Sequence, residues 1–200
     1  MDNITIRRGK PEDARDFSEL AMFTGPELLP YLLGSRVEYV LEKSFPHEMN
    51  CFSFEHTHFI EVNGETVGMA LVYSYSQKKE ESPRSAEIIS RYLKGSIFTE
   101  DPEPRMPGGI LGQVSESDSY LSNLAVYPRF RSLGFGTKLF EVFEEEARAA
   151  GSRRMVLDAE TDNQKAVKLY ERLGYNIEKR SPVIETSVKN FEFFKMGKEL

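Results

Sequence analysis

Hydrophobic positions along this chain switch between two spacings, every second residue and every third or fourth. Residues 4–8 alternate apolar and polar side chains, as a first strand does. Lys10-Pro11-Glu12-Asp13 then reads as a helix start, because Pro suits a first turn and the two acids complement the positive end of the helix dipole. Residues 29–45 carry a helical stripe through Leu32, Val37, Val40 and Leu41. Residues 59–62 and 67–75 flank Asn63-Gly64, a pair that tolerates the two positive φ angles of a type I′ turn, so a hairpin is predicted. The second half predicts a strand at 120–126, a helix at 136–150, a strand at 153–159 and a helix at 163–173. Terminal strands are predicted near 175–179 and 190–195. Strands interleaved with helices give an α/β fold around a mixed sheet.

Between these halves, residues 76–117 are an excursion without strong strand signals. A polar stretch leads into a predicted helix around 85–93, and a Pro/Gly-rich acidic segment follows at 99–112. So long a loop is either a lid or binding element or a tolerated surface insertion. Neither a repeat nor a linker divides the chain, so residues 1–200 are expected to form one domain.

Composition narrows the function classes. Hydrophobic residues make up 40% of the chain, enough for a core and too many for disorder. The formal net charge of -6 disfavours a nucleic-acid partner, whose affinity would come from phosphate contacts to a basic face. A net negative surface suits a cationic ligand better. No uncharged apolar run approaches the ~20 residues of a membrane span, and the N-terminus lacks the apolar core of a secretory signal. The lone cysteine, Cys51, cannot form an internal disulfide, so a reducing cytoplasmic location is expected. His56 and His58 have no carboxylate or thiol at ligand spacing, so no metal site is expected.

The most informative segment runs from Val126 to Gly136, between a predicted strand and a helix whose apolar stripe is Leu139, Phe140, Phe143 and Ala147. Gly134 and Gly136 let the backbone approach a ligand, and the unpaired amides of a helix N-terminus attract anions. Arg129 and Arg131 add positive charge there, and a pyrophosphate is the natural occupant. A dinucleotide fingerprint fits poorly, because Leu139 stands at its third glycine. Downstream, Asn163 suits an N-cap and Gly174 a left-handed helix stop, while Ala166, Tyr170 and Leu173 share one face.

Val126-x-Pro128-x-x-Arg131-x-x-Gly134-x-Gly136 resembles the coenzyme A-binding motif of the GNAT family of N-acetyltransferases, with every signature position filled. Asn163-x-x-Ala166-x-x-x-Tyr170-x-x-x-Gly174-Tyr175 resembles the family's next motif. Residues 4–14 look like its opening strand and helix, and 191–198 like its closing strand. The resemblance implies a twisted, mostly antiparallel α+β sheet of about six or seven strands flanked by helices. It implies acetyl-CoA as co-substrate, an amine acceptor and direct transfer, and it allows a homodimer. By the same resemblance Leu124, Ala125 and Val126 line the pantetheine arm, which Asn163 also contacts. Arg131, Ser132, Leu133, Gly134, Phe135, Gly136 and Thr137 hold the phosphates. The amide of Leu124 or Ala125 polarises the thioester, and Tyr170 protonates the departing thiolate.

One expected group is missing. Many family members carry a basic Glu on the strand before the phosphate loop, where this chain has Ser122 and Asn123. The substitutes are Glu116 and Asp118 at the mouth of that strand, Asp158 or Glu160 on the next, or a relay to water through Ser122 and Asn123. Cys51 has no neighbouring motif that would make it an acyl carrier. Two rival readings stay open: a coenzyme A-binding regulatory module without turnover, and an acyltransferase acting on protein amines or using a longer acyl-CoA.

Overall fold

The structure, a computed structural model, describes residues 2–94 and 111–200. Its centre is a seven-stranded sheet in the order β1-β2-β3-β4-β5-β7-β6. The strands are β1 (Ile4–Arg8), β2 (Thr57–Val62), β3 (Glu65–Ser74), β4 (Asp118–Val126), β5 (Arg154–Glu160), β6 (Asn176–Arg180) and β7 (Phe193–Glu199). All neighbours pair antiparallel except β4 and β5, which are parallel. Asn63 and Gly64 turn the β2–β3 hairpin with φ of 53° and 83°, as the type I′ reading requires.

Alternation along the strands feeds two cores, one on each face of the sheet. On one face Phe59, Met69, Leu71, Tyr73, Tyr120 and Val156 pack against α1 (Ala14–Met22), α2 (Leu28–Leu33), α3 (Val37–Ser44) and α4 (Tyr75–Lys94). On the other, Ile60, Val67, Ala70, Leu121, Leu157 and Met196 pack against α5 (Phe135–Ala149) and α6 (Gln164–Arg172). Phe135, Leu139, Phe140, Phe143 and Ala147 are the buried stripe of α5. Each of its four large side chains removed from water stabilises the fold by about 1.5–3 kcal/mol.

Three elements differ from the sequence reading. The stripe over residues 29–45 is two helices, because Gly34 takes φ 79° and ends α2. The helix expected around 85–93 begins ten residues earlier, at Tyr75. Ser74 Oγ accepts from the Gln77 amide at 3.3 Å and Gln77 Oε1 accepts from the Ser74 amide at 2.8 Å, a reciprocal cap that starts α4. The last strand starts at Phe193, later than expected, because Phe191 pairs with Ile184 to close a loop before it. Most of the Pro/Gly-rich segment at 99–112 lies outside the described residues. Among the described residues no helix is long and apolar enough to cross a membrane.

Candidate active site

The parallel ladder between β4 and β5 is short. It runs from Asp118 opposite Arg154 to Leu121 opposite Leu157 and then stops. Beyond it, β4 stays paired to β3 as far as Val126, and β5 stays paired to β7 as far as Glu160. The cause is local. Leu121 pairs with Val72 and Asn123 with Leu71, so Ser122 is an extra residue in β4. A bulge of this kind bends its strand and raises its twist, while β5 is held straight by an unbroken ladder to β7. The two parallel strands therefore part, and a split opens in the sheet.

The phosphate-loop candidates lie beyond the end of β4. Pro128–Phe130 form one 3-10 turn, and Ser132 and Gly134 follow with φ of 65° and 84°. Gly134 needs its positive φ to turn the chain into α5, since an added Cβ would meet nothing within 4 Å. Lys138 is the first amide of the helix to find a backbone acceptor, Gly134 O at 3.1 Å. The amides at 132–137 thus have no backbone acceptor among the described residues and are open to a ligand at the positive end of the dipole. A Cβ on Gly136 would lie 3.8 Å from both Leu124 Cδ2 and Leu169 Cδ2. Nothing in the protein's own packing demands a glycine there, and the space it leaves faces the end of β4. Open amides, glycines and a cation together fit a pyrophosphate-bearing ligand.

Arg131 is exposed, donates from Nε to Val126 O at 3.0 Å, and lies 5.4 Å from the Phe23 ring. Arg129, expected beside it, pairs instead with Glu65 of the hairpin and covers the Phe130 ring at 4.8 Å. Leu124 faces α5 and α6, whereas Ala125 is buried on the opposite face. Leu133 is 62% exposed. Asn163 caps α6, its Oδ1 accepting from the Ala166 amide at 3.2 Å.

Tyr170 stands on α6, its ring 5.7 Å from Phe140 and 6.3 Å from Tyr175. Its hydroxyl has no hydrogen-bond partner among the described residues. Burial pushes its pKa up to about 12, so the phenol stays protonated at neutral pH. Tyr170 packs against the core of the sheet face opposite to that of Tyr120.

The four candidate carboxylates divide cleanly. Asp118 starts β4 and accepts from the Ser115 amide at 3.3 Å, and exposed Glu116 sits in the turn before it. Both lie at the end of β4 away from the loop, Asp118 roughly 13 Å before the bulge at ~3.3 Å per residue. Asp158 and Glu160 lie just past the last β4–β5 pair. Asp158 Oδ2 accepts from Tyr120 Oη at 3.0 Å and from the Gly112 amide at 2.7 Å, with Lys195 as its cross-strand partner. Glu160 is bound by Lys189 at 2.7 Å, and the same ammonium holds Glu27 at 2.8 Å and Asp162 at 3.2 Å. Burial raises Glu160, but the Lys189 ion pair opposes that shift and occupies the carboxylate. Sequence reasoning did not find Tyr120, Thr24 or Gly112, because only the tertiary fold brings them to the split. Tyr120 carried one faint signal, an apolar-face position in β4 bearing a hydroxyl.

The histidines are engaged elsewhere: His56 with Glu81 at 2.6 Å, His47 with Tyr92 at 2.8 Å and His58 with Glu146 at 3.1 Å. His56 sits in the turn before β2, and His58 on the strand itself. Among the described residues no three His, Cys, Asp or Glu side chains converge to hold a metal ion.

The profile of the acetyltransferase (GNAT) family matches residues 26–175. A ribosomal protein bS18-alanine N-acetyltransferase of Salmonella typhimurium is 34% identical over 86 residues, which is 43% of this chain and 56% of that protein. An N-acetyltransferase from Staphylococcus aureus Mu50 superposes with a TM-score of 0.71 at 22% identity, covering 97% of this chain and 100% of its own. The ribosomal-protein-S18-alanine N-acetyltransferase from Escherichia coli superposes with a TM-score of 0.61 at 17% identity, covering 98% and 94%. At these identities the superpositions speak for the fold, and it is the one expected from the sequence motifs.

Proposed function

Because the chain belongs to the GNAT family of acetyltransferases, we propose that it transfers an acetyl group directly from acetyl-CoA to a primary amine. The observation that carries this reading is the split between β4 and β5, which opens onto a helix N-terminus with free amides at 132–137. Arg131 and those amides hold the pyrophosphate of the donor. Leu124, Ala125, Val126 and Asn163 line its pantetheine arm, and the Leu124 or Ala125 amide stabilises the oxyanion.

Asp158 is the proton acceptor and Tyr170 the donor. Of the four carboxylates, Asp158 alone lies at the split without a salt bridge to Lys189, and it accepts a hydrogen bond from Tyr120 there. A neutral amine attacks the thioester carbonyl, forming the C–N bond, and collapse breaks the C–S bond. One amine proton passes to the Asp158 carboxylate and the Tyr170 proton to the departing sulfur. Asp158 then returns a proton through solvent to the Tyr170 phenolate, leaving one amide and one thiol. The dry site that raises Tyr170 raises the thiolate too, which keeps the transfer feasible.

We read residues 1–200 as one catalytic unit with an insertion at 76–117, acting in the cytoplasm. The acidic surface favours a small cationic acceptor. A protein α-amine is the second reading, favoured by the bS18-alanine acetyltransferase relative. The test is thermal unfolding with acetyl-CoA against an NAD control, then thiol release across spermidine, kanamycin, glycine and an alanine-initiated peptide. Donor at about 100 times Kd adds roughly 2.7 kcal/mol, which raises Tm by about 5–10 °C. No shift would end the acetyl-CoA reading, and a shift without turnover on any amine would favour a binding module.

A further inference from the structure

Asn123 lies one residue past the bulge, in the part of β4 that has left β5. Its side chain enters the face that carries α1 and is only 8% exposed. The surroundings distinguish the two ends of its amide. Thr24 Oγ1 donates its one proton to Ala21 O at 2.7 Å, so toward any other partner it can only accept. The Asn123 group 2.7 Å from it must therefore be the Nδ2 donor. That leaves Oδ1 turned inward, buried and without a hydrogen-bond partner among the described residues. A buried amide oxygen left bare lowers the stability of the empty protein, and a leucine of similar size would not incur that cost.

We propose that Asn123 positions the attacking amine: its Oδ1 accepts a hydrogen bond from an amine N–H and turns the nitrogen lone pair toward the thioester carbonyl. The inference rests on the acetyl-transfer reading above and deepens it by assigning the acceptor subsite. Three features support an amine as the partner. The orphan is an acceptor, so it calls for an N–H or O–H donor. It sits in the separated stretch of β4, on the same face of the sheet as Tyr120 and the Asp158 carboxylate that Tyr120 binds. An amide does not ionise at neutral pH, so Asn123 can orient the nucleophile without competing with Asp158 for its proton. Thr24, by fixing which end of the amide faces inward, is a positioning residue one step removed.

The test compares Asn123→Leu, Asn123→Gln and Thr24→Val with wild type, using whichever panel amine turns over fastest. Asn123→Leu is expected to keep Tm at or above wild type and to leave the KM for acetyl-CoA unchanged. Its kcat/KM for the amine should fall by at least about tenfold, the scale of one hydrogen bond to a reacting group. Asn123→Gln retains both the amide oxygen and its N–H donor and should recover to within about fivefold of wild type on the same scale. Thr24→Val, which frees the amide to turn, should lose about threefold. Should the leucine variant not fold, the other two decide the matter. An amine kcat/KM within twofold of wild type in Asn123→Leu, or a change confined to the acetyl-CoA KM, would overturn the assignment. Equal impairment of the Leu and Gln variants would do the same, as would an unaltered Thr24→Val where the leucine variant does not fold. A wild-type protein inert toward every panel amine would refute the acetyl-transfer reading on which this inference rests, whereas an active wild type with an unimpaired leucine variant refutes this inference alone, so the two failures are distinguishable.

Discussion

Replacing Tyr170 by Phe removes one oxygen from a ring that otherwise keeps every contact. The ring packs on Phe140 and Tyr175, and phenylalanine preserves both contacts. No hydrogen bond among the described residues is lost, so the substitution should not destabilise the fold. Burying a hydroxyl without a partner costs roughly 1–3 kcal/mol in proteins. Tyr170 is only partly buried by area, so relief at the low end of that range is expected, about 1 kcal/mol and a Tm rise of roughly 2–4 °C. Chemistry should respond in the opposite direction. General-acid catalysis is worth about 100-fold or more, so kcat should fall by at least that factor, about 2.7 kcal/mol of barrier. Steady-state thiol release reads kcat and both KM values, and differential scanning fluorimetry reads Tm on the same preparations. With a pKa of about 12, Tyr170 should contribute no alkaline limb to wild-type kcat below about pH 10. A kcat within threefold of wild type would remove Tyr170 from the mechanism. So would a kcat loss matched by a large fall in Tm, since the effect would then be structural.

Other perturbations separate the parts of the site. Gly136→Ala adds a Cβ in ordinary contact range of Leu124 and Leu169 and improves a helical position. Unliganded stability should rise by up to about 1 kcal/mol while the KM for acetyl-CoA rises several-fold; unchanged KM would show that the space is not used by the donor. Asp158→Asn keeps acceptance from Tyr120 and the Gly112 amide through its remaining oxygen but removes the base, so kcat/KM for the amine should fall about 100-fold at pH 7 and lose less at high pH, where amines are already neutral. A loss independent of pH would point away from proton transfer. Burial lowers the pKa of His58 below its ordinary 6.5, against the opposing pull of Glu146 and with help from Arg8. The unfolded chain then binds the proton more tightly, so stability is fully present above pH 6.5 and is lost as pH falls from there through the lower folded value. Urea midpoints at pH 7.5 and 5.5 should fall further for wild type than for His58→Phe; parallel declines would rule His58 out.

The glycine-containing loop, the capped helix with Tyr170 and the Asn-Gly hairpin were all legible in the sequence, because each depends on residues adjacent along the chain. Backbone freedom at Gly134, capping at Asn163 and the two positive φ angles at Asn63 and Gly64 are local properties that folding does not rewrite. Even the early start of α4 was written locally, in a Ser74-to-Gln77 cap that hydrophobic periodicity overlooks. The choice among carboxylates was of another kind. Glu116, Asp118, Asp158 and Glu160 look alike in one dimension, and a carboxylate's role depends on which neighbours share its space. Pairing of β4 with β5 over only part of their lengths brings Asp158 to the split and leaves Asp118 at the far end. Lys189, arriving from a distant loop, binds Glu160. The bare oxygen of Asn123 emerges only once Thr24, ninety-nine residues away in the chain, takes the other end of its amide. The sequence alone thus determined which local conformations were available. The tertiary structure decided which polar atoms were left facing the reaction, because hydrogen bonding and burial are settled between segments brought together from far along the chain.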